Sequence, residues 1–281
     1  MDVAHFELIF KPQSPAAPTG TAAVARVIQG FFLEITNLEP VEYQYQLEFV
    51  APPPAPGVAN AAFRSLAGNA LIFVDTPAAD NQQGVLTGAP GATVFRPSTG
   101  FVRIPPLATA LVAVLPSAFG PVPGDPTPIP NPVFEVRGFV RLKLPALFQP
   151  GHPCKLVRKA QSADPVKVLL TAQNRATYLD ASGAITDQTQ ASLPLCAGAA
   201  CVHLEPEPCG PIVLVPHEAP ADPHAIVCEL FQNGEFDDPV ALAGILAATL
   251  SAIDPEASDL TGFNRALREA GTPFAVERRK P

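Results

Sequence analysis

Hydrophobic and polar side chains alternate along the first half of the chain with the two-residue period of a strand that buries one face. Phe6, Leu8 and Phe10 open the pattern, Phe31, Leu33 and Ile35 resume it, and Tyr43, Tyr45, Leu47 and Phe49 alternate with Gln44, Gln46 and Glu48. Between the last two runs, Asn37-Leu38-Glu39-Pro40 suits a tight turn, so these runs are expected to pair as an antiparallel hairpin. Shorter apolar runs follow at 70–74, 93–95, 101–104 and 109–115, each bounded by Gly, Pro, Asn or Asp. The segment 84–91, rich in glycine, reads as a hairpin loop.

The longest alternation runs from 134 to 144. Phe134, Val136, Val140, Leu142 and Leu144 share one face, and Glu135, Arg137, Phe139, Arg141 and Lys143 share the other. Two residues stand out. Gly138 signals a bulge or the close approach of another backbone. Phe139 is an aromatic among four charges on the face expected to be wet, which makes it a candidate for cover by a later segment or for an interface between subunits.

Beyond 145 the alternation weakens. Apolar runs at 166–170, 176–179, 212–215 and 225–231 predict short strands, separated by polar loops such as 180–190. The last 45 residues change period. Asp237 or Asp238 caps a helix with Pro239 in its first turn, and Leu242, Ile245, Leu246, Leu250 and Ile253 fall on one helical face. A second helix from 258 or 259 gathers Leu260, Phe263, Leu267 and Ala270 and stops at Gly271.

The pattern therefore predicts a mainly β protein. It consists of an immunoglobulin-like or jelly-roll antiparallel sandwich over 1–145, a smaller β-rich domain or extension over 146–236, and a C-terminal two-helix hairpin with a tail over 237–281.

Composition sharpens this expectation. The 281 residues include 35 prolines and only 16% charged residues, which argues against a mainly helical chain and, with 47% apolar residues, against a disordered one. Seven of the prolines crowd into 116–132, an expected extended crossover. The net charge of −8 is spread along the chain without a basic stripe, so nucleic acid is not an expected partner. The one basic cluster, Arg278, Arg279 and Lys280, reads as a solvated tail. No classical export signal is visible, and the longest helix-compatible apolar stretch, 241–253, is too short to span a bilayer of about 30 Å. The expected location is cytoplasmic, with a surface or particle-associated location by a non-classical route as the alternative.

The chemistry-bearing residues concentrate between 196 and 229. Cys196, Cys201, His203 and Cys209 are the ligand types of a tetrahedral zinc site, because thiolate and imidazole suit a borderline-soft cation. Their spacing, Cys-x4-Cys-x-His-x5-Cys, lacks the two-residue knuckle of paired zinc cysteines, so unlinked thiols are favoured over zinc or a disulfide between neighbours. No nucleophile elbow, Walker loop or dinucleotide-type glycine motif is present, and no cofactor is expected.

The function expected on these grounds is that of a non-enzymatic structural or interaction protein that associates with itself or with a protein scaffold. Its interface candidates are Phe139, Leu246, Leu250, Phe263 and Leu267. The alternatives are a metal- or small-molecule-binding β-domain, possibly an enzyme, centred on 196–229, and an adhesin-like surface module.

Overall fold

The structure, a computed structural model, describes residues 1–13, 25–53, 65–77, 81–88, 91–117, 134–151, 155–209, 212–216, 260–261, 264–265 and 274–278. Sixteen strands are formed among them. The alternating segments become β1 (Asp2–Pro12), β2 (Arg26–Asn37), β3 (Tyr43–Val50), β4 (Ala70–Asp75), β5 (Gln82–Thr87), β6 (Val94–Pro97), β7 (Val102–Ile104), β8 (Thr109–Pro116) and β9 (Phe134–Lys143). They are followed by β10 (Leu147–Gly151), β11 (Lys155–Lys159), β12 (Val166–Leu179), β13 (Ile185–Ser192), β14 (Cys201–Leu204), β15 (Ile212–Pro216) and β16 (Phe274–Arg278).

Eight strands close a ring. Each neighbour in the order β1-β9-β3-β6-β5-β4-β8-β2 pairs antiparallel with the next, and β2 returns to β1 through Ile9 opposite Gln29 and Lys11 opposite Val27. This closed barrel corrects the expected sandwich: a sandwich keeps two sheets unjoined, whereas here β1 hydrogen-bonds to a strand on each side. The expected hairpin between residues 31–35 and 43–49 is also absent. The Asn37 side chain is wholly buried and turns the chain away at that point, its amide donating to the carbonyls of Val41 (2.7 Å), Ile104 (3.2 Å) and Pro105 (3.1 Å). As a result β2 pairs with β8, β1 and β12, while β3 crosses to β9, β6 and β7. The segment expected to be a glycine-rich loop contributes β5, where Gly84 fits because a Cβ there would stand 2.4 Å from Ser98 Oγ.

Closure depends on how β2 shares its edges. Asn37 N–H donates to Ala108 O and Gln13 N–H to Ala25 O, so β8 and β1 occupy one edge of β2 in succession. The other edge takes β12 along its whole length, from Asn37 opposite Val168 to Arg26 opposite Leu179. Gly30 sits where β8 gives way to β1. A Cβ at this position would lie 2.3 Å from Leu115 Cδ2 and 2.9 Å from Val114 O.

The barrel is filled with side chains. Phe6, Phe31 and Phe49, from three different strands, meet edge to face with ring centres 5.6–6.4 Å apart, and Leu8, Leu33, Ile35, Leu47, Ile72, Leu86 and Phe134 pack around them without solvent exposure. Burial of this apolar surface is the main stabilising contribution to the ring.

Contacts divide the chain into two units, Met1–Lys143 with Pro165–Glu205, and Leu144–Asp164 with Pro206–Pro281. In the first unit β12 carries β13 and β14 outward from β2. In the second, β10, β11, β15 and β16 form a four-stranded antiparallel sheet. The C-terminal hairpin is overturned as well. No helix pair is found among the described residues; only Leu260, Thr261, Asn264 and Arg265 have helical backbone, and the chain beyond them forms β16. The Asn264 side chain clasps that strand, donating to Val276 O (3.0 Å) and accepting from Val276 N (2.7 Å). The rest of the predicted hairpin, with the candidates Leu246, Leu250, Phe263 and Leu267, lies outside the described residues, as does the predicted strand at 225–231. No described helix is long and apolar enough to cross a membrane.

Candidate functional site: one end and the outer wall of the barrel

At one end of the barrel two connections lie side by side. The β2–β3 connection carries Val41, and the β7–β8 connection carries Leu107. They are tied together by the Asn37 amide and by Leu107 N–H donating to Glu39 O (3.2 Å). Both side chains project outward, Val41 50% exposed and Leu107 71% exposed. Leu107 has φ +54°, the only positive φ at a residue other than glycine among those described. This left-handed conformation costs a Leu roughly 1–2 kcal/mol, and it persists because the two preceding prolines, the bond to Glu39 O and the bond from Ala108 N–H to Pro105 O fix the turn.

Beside this protrusion is a depression of about 330 Å³ lined by Glu42, Val74, Thr76, Pro77, Gln82, Arg103 and Pro105. Its polar wall is the ion pair in which Arg103 Nη2 and Nε donate to Glu42 Oε1 at 2.8 and 3.1 Å. Sequence reasoning missed this end altogether, because isolated apolar residues between prolines show no periodicity. Pro105-Pro106 directly before Leu107 was the available signal.

The outer wall of β1, β9, β3 and β6 has a different character. Asp2, Arg141, Glu48 and Arg96 stand opposite one another across four strands, acid and base in turn. Glu48, with its side chain only 2% exposed, accepts from Arg96 (2.6 Å), Lys143 (3.1 Å) and Arg141 (3.2 Å). Burial alone would raise its pKa, but the bond and charge of Arg96, joined by Lys143, hold the carboxyl below its ordinary value. A second row links Arg137 to both Glu7 and Glu135, and Glu135 also accepts from Lys11 at 2.7 Å. On these strands the barrel is apolar inside and charged outside.

Phe139 lies on this wall, half-buried, with the Arg141 guanidinium 5.7 Å from its ring centre. The close approach expected at Gly138 is present: a Cβ there would stand 2.0 Å from Val50 O. Inside the ring, Tyr45 keeps a buried hydroxyl without a hydrogen-bond partner, and burial pushes its pKa far up, with Tyr43 and Glu39 adding to the shift.

Cys201 and His203 sit on β14 with their side chains exposed, while Val202 and Leu204 between and beyond them are buried. Cys196 and Cys209 are also exposed, and all three of these cysteines are unlinked thiols. Among the described residues no three His, Cys, Asp or Glu side chains are grouped to hold a metal ion, and the candidates Cys196, Cys201 and His203 of the first unit are not gathered into such a group. Comparison of the chain with protein-family models, with curated proteins and with solved structures gives no match.

Proposed function

We propose that this is a non-enzymatic structural or interaction protein that self-associates, and that the barrel end around Leu107 is one of its contact surfaces. The interior is occupied by aromatic and aliphatic side chains, so recognition falls to the outside of the ring. The observation that carries the proposal is Leu107 itself, an exposed apolar side chain held in a conformation that its own backbone disfavours, beside Val41 and a recess. Strain of this kind is retained where the displayed side chain is used.

The test separates display from stability. Glycine adopts a positive φ without penalty, so Leu107→Gly should keep its unfolding free energy within about 1 kcal/mol of the parent protein. The same substitution should weaken association measured by sedimentation velocity across a concentration series. Unchanged sedimentation of the Leu107→Gly protein would remove the barrel end from the proposal, and a strict monomer at every concentration would overturn self-association.

A further inference from the structure

The β12–β13 hairpin extends outward from β2, and β13 is exposed at every one of its eight residues. It forms one end of its sheet, paired with β12 on one edge and with no described strand on the other. The direction of the free groups follows from the pairing. Leu193 N–H donates to Ala172 O, so the amides of Asp187, Thr189 and Ala191 face β12, and those of Gln188, Gln190 and Ser192 face outward.

The hairpin is pre-organised. Asp180 Oδ1 accepts from Ser182 N (2.8 Å), Ser182 Oγ (2.6 Å) and Ala184 N (2.9 Å), and Gly183 supplies the positive φ of the turn. An edge strand that must stay unpaired is guarded by lysine, proline or a mid-strand bulge. The sequence Ile-Thr-Asp-Gln-Thr-Gln-Ala-Ser contains neither lysine nor proline, and its irregularity lies at the turn end, opposite Tyr178 and Leu179.

We infer that the edge of β13 turned away from β12 pairs antiparallel with β13 of a second copy of this chain, about a two-fold axis at Gln188 or Thr189. The outward groups are backbone donors and acceptors in a two-residue period, which another strand satisfies most fully. A second β13 suits them because the strand has a single charge. In the registers that overlap it most, Asp187 faces Thr189 or Ala191 rather than its own copy. Asp187 Oδ1 currently accepts the outward Gln188 amide at 2.8 Å, occupying the place that a carbonyl of the second strand would take. This contact goes beyond the barrel end, and it rests on the same proposal that the protein self-associates. Two self-complementary surfaces on one protomer link copies into chains longer than dimers.

Sedimentation velocity of the full chain across a concentration series tests this. Gln190→Pro removes an outward amide and leaves the bonds to β12 in place. With both contacts present, the parent protein forms species larger than dimers, Gln190→Pro and Leu107→Gly each stop at dimers, and the double variant is monomeric. Asp187→Ala, which removes the competing acceptor, shifts assembly to lower concentration, and it carries the test if Gln190→Pro does not fold. A parent dimer abolished by Leu107→Gly and indifferent to Gln190→Pro and Asp187→Ala would overturn the β13 contact while leaving the barrel end standing. A parent dimer abolished only by Gln190→Pro would support β13 and remove the barrel end, and a monomer throughout would overturn both.

Discussion

The outer wall at β9 and the arm at β13 are both solvent-facing parts of one sheet system, yet they are built in opposite ways. On the wall almost every outward side chain is engaged: Glu48 with three cations, Arg137 with two acids, Arg141 with Asp2 and the ring of Phe139. The wall has strands on both sides and its backbone is satisfied. On the arm the side chains are nearly neutral and wholly exposed, and one backbone edge has no described strand beside it. Charge density on a sheet surface thus follows backbone satisfaction here. The wall is closed to further strands, while the arm keeps both its edge and its low charge.

The sharpest way to break this comparison is at Gly138. With Val50 O 2.0 Å from where a Cβ would be, Gly138→Ala cannot leave β9 seated between β1 and β3 without moving backbone. We expect a loss of about 3 kcal/mol or more, measured by urea denaturation, with a decrease in the m value if the ring opens, because the folded state then already exposes part of the surface.

Glu48→Gln comes next. It leaves Arg96, Arg141 and Lys143 facing a neutral group in a nearly buried setting and should cost about 3 kcal/mol. The same network predicts acid sensitivity. The carboxyls of Glu48 and Glu135 are held below their ordinary values in the folded protein, so the unfolded chain takes up protons first as the pH falls. Their contribution is complete above the ordinary carboxylate range and is lost on descending from about pH 5. Unfolding midpoints measured from pH 7 to pH 3 should fall steeply for the parent protein and less steeply for Glu48→Gln.

The smallest effect belongs to the arm. Asp180→Ala releases the turn that organises the hairpin and should speed amide exchange across Ile185–Ser192, with no measurable change in the global unfolding midpoint. A cooperative loss of the barrel in that variant would show that the arm is part of the core rather than an appendage.

How much of this was legible in the sequence follows the same division. The strands of the ring announced themselves because each buries one face, so β3 and β9 appear as clean alternations and Gly138 as a point of close approach. The ring itself was not legible. Alternation states which face is buried but not which strand lies alongside, and the β2–β3 turn was read as a hairpin because the burial of the Asn37 side chain carries no pattern. The sequence of β13 reads as a polar loop for the converse reason. Neither of its faces is buried, so no hydrophobic period exists, and its extended conformation comes from the Asp180 turn and the bonds to β12. Leu107 and Val41 were silent as single exposed residues in proline-rich connections. The C-terminal periodicity was helical in pattern, whereas the strand that follows it, β16, is five residues long and too short to compete with that signal.

The position of β9 in the ring also sets an order of assembly. It lies between β1 and β3, and Arg141 meets Asp2 across 139 residues of chain, so the last stave of the barrel must arrive after its two neighbours have waited with open edges. Contacts of such long range close late and slowly. The waiting edges carry Asp2 and Glu7 on β1 and Glu48 on β3, and the incoming strand brings Arg137, Arg141 and Lys143. A slip by one residue would turn these cations inward, and a slip by two would move each away from its acid. The ladder of charges on the finished wall therefore also works as a key, admitting the closing strand in one register.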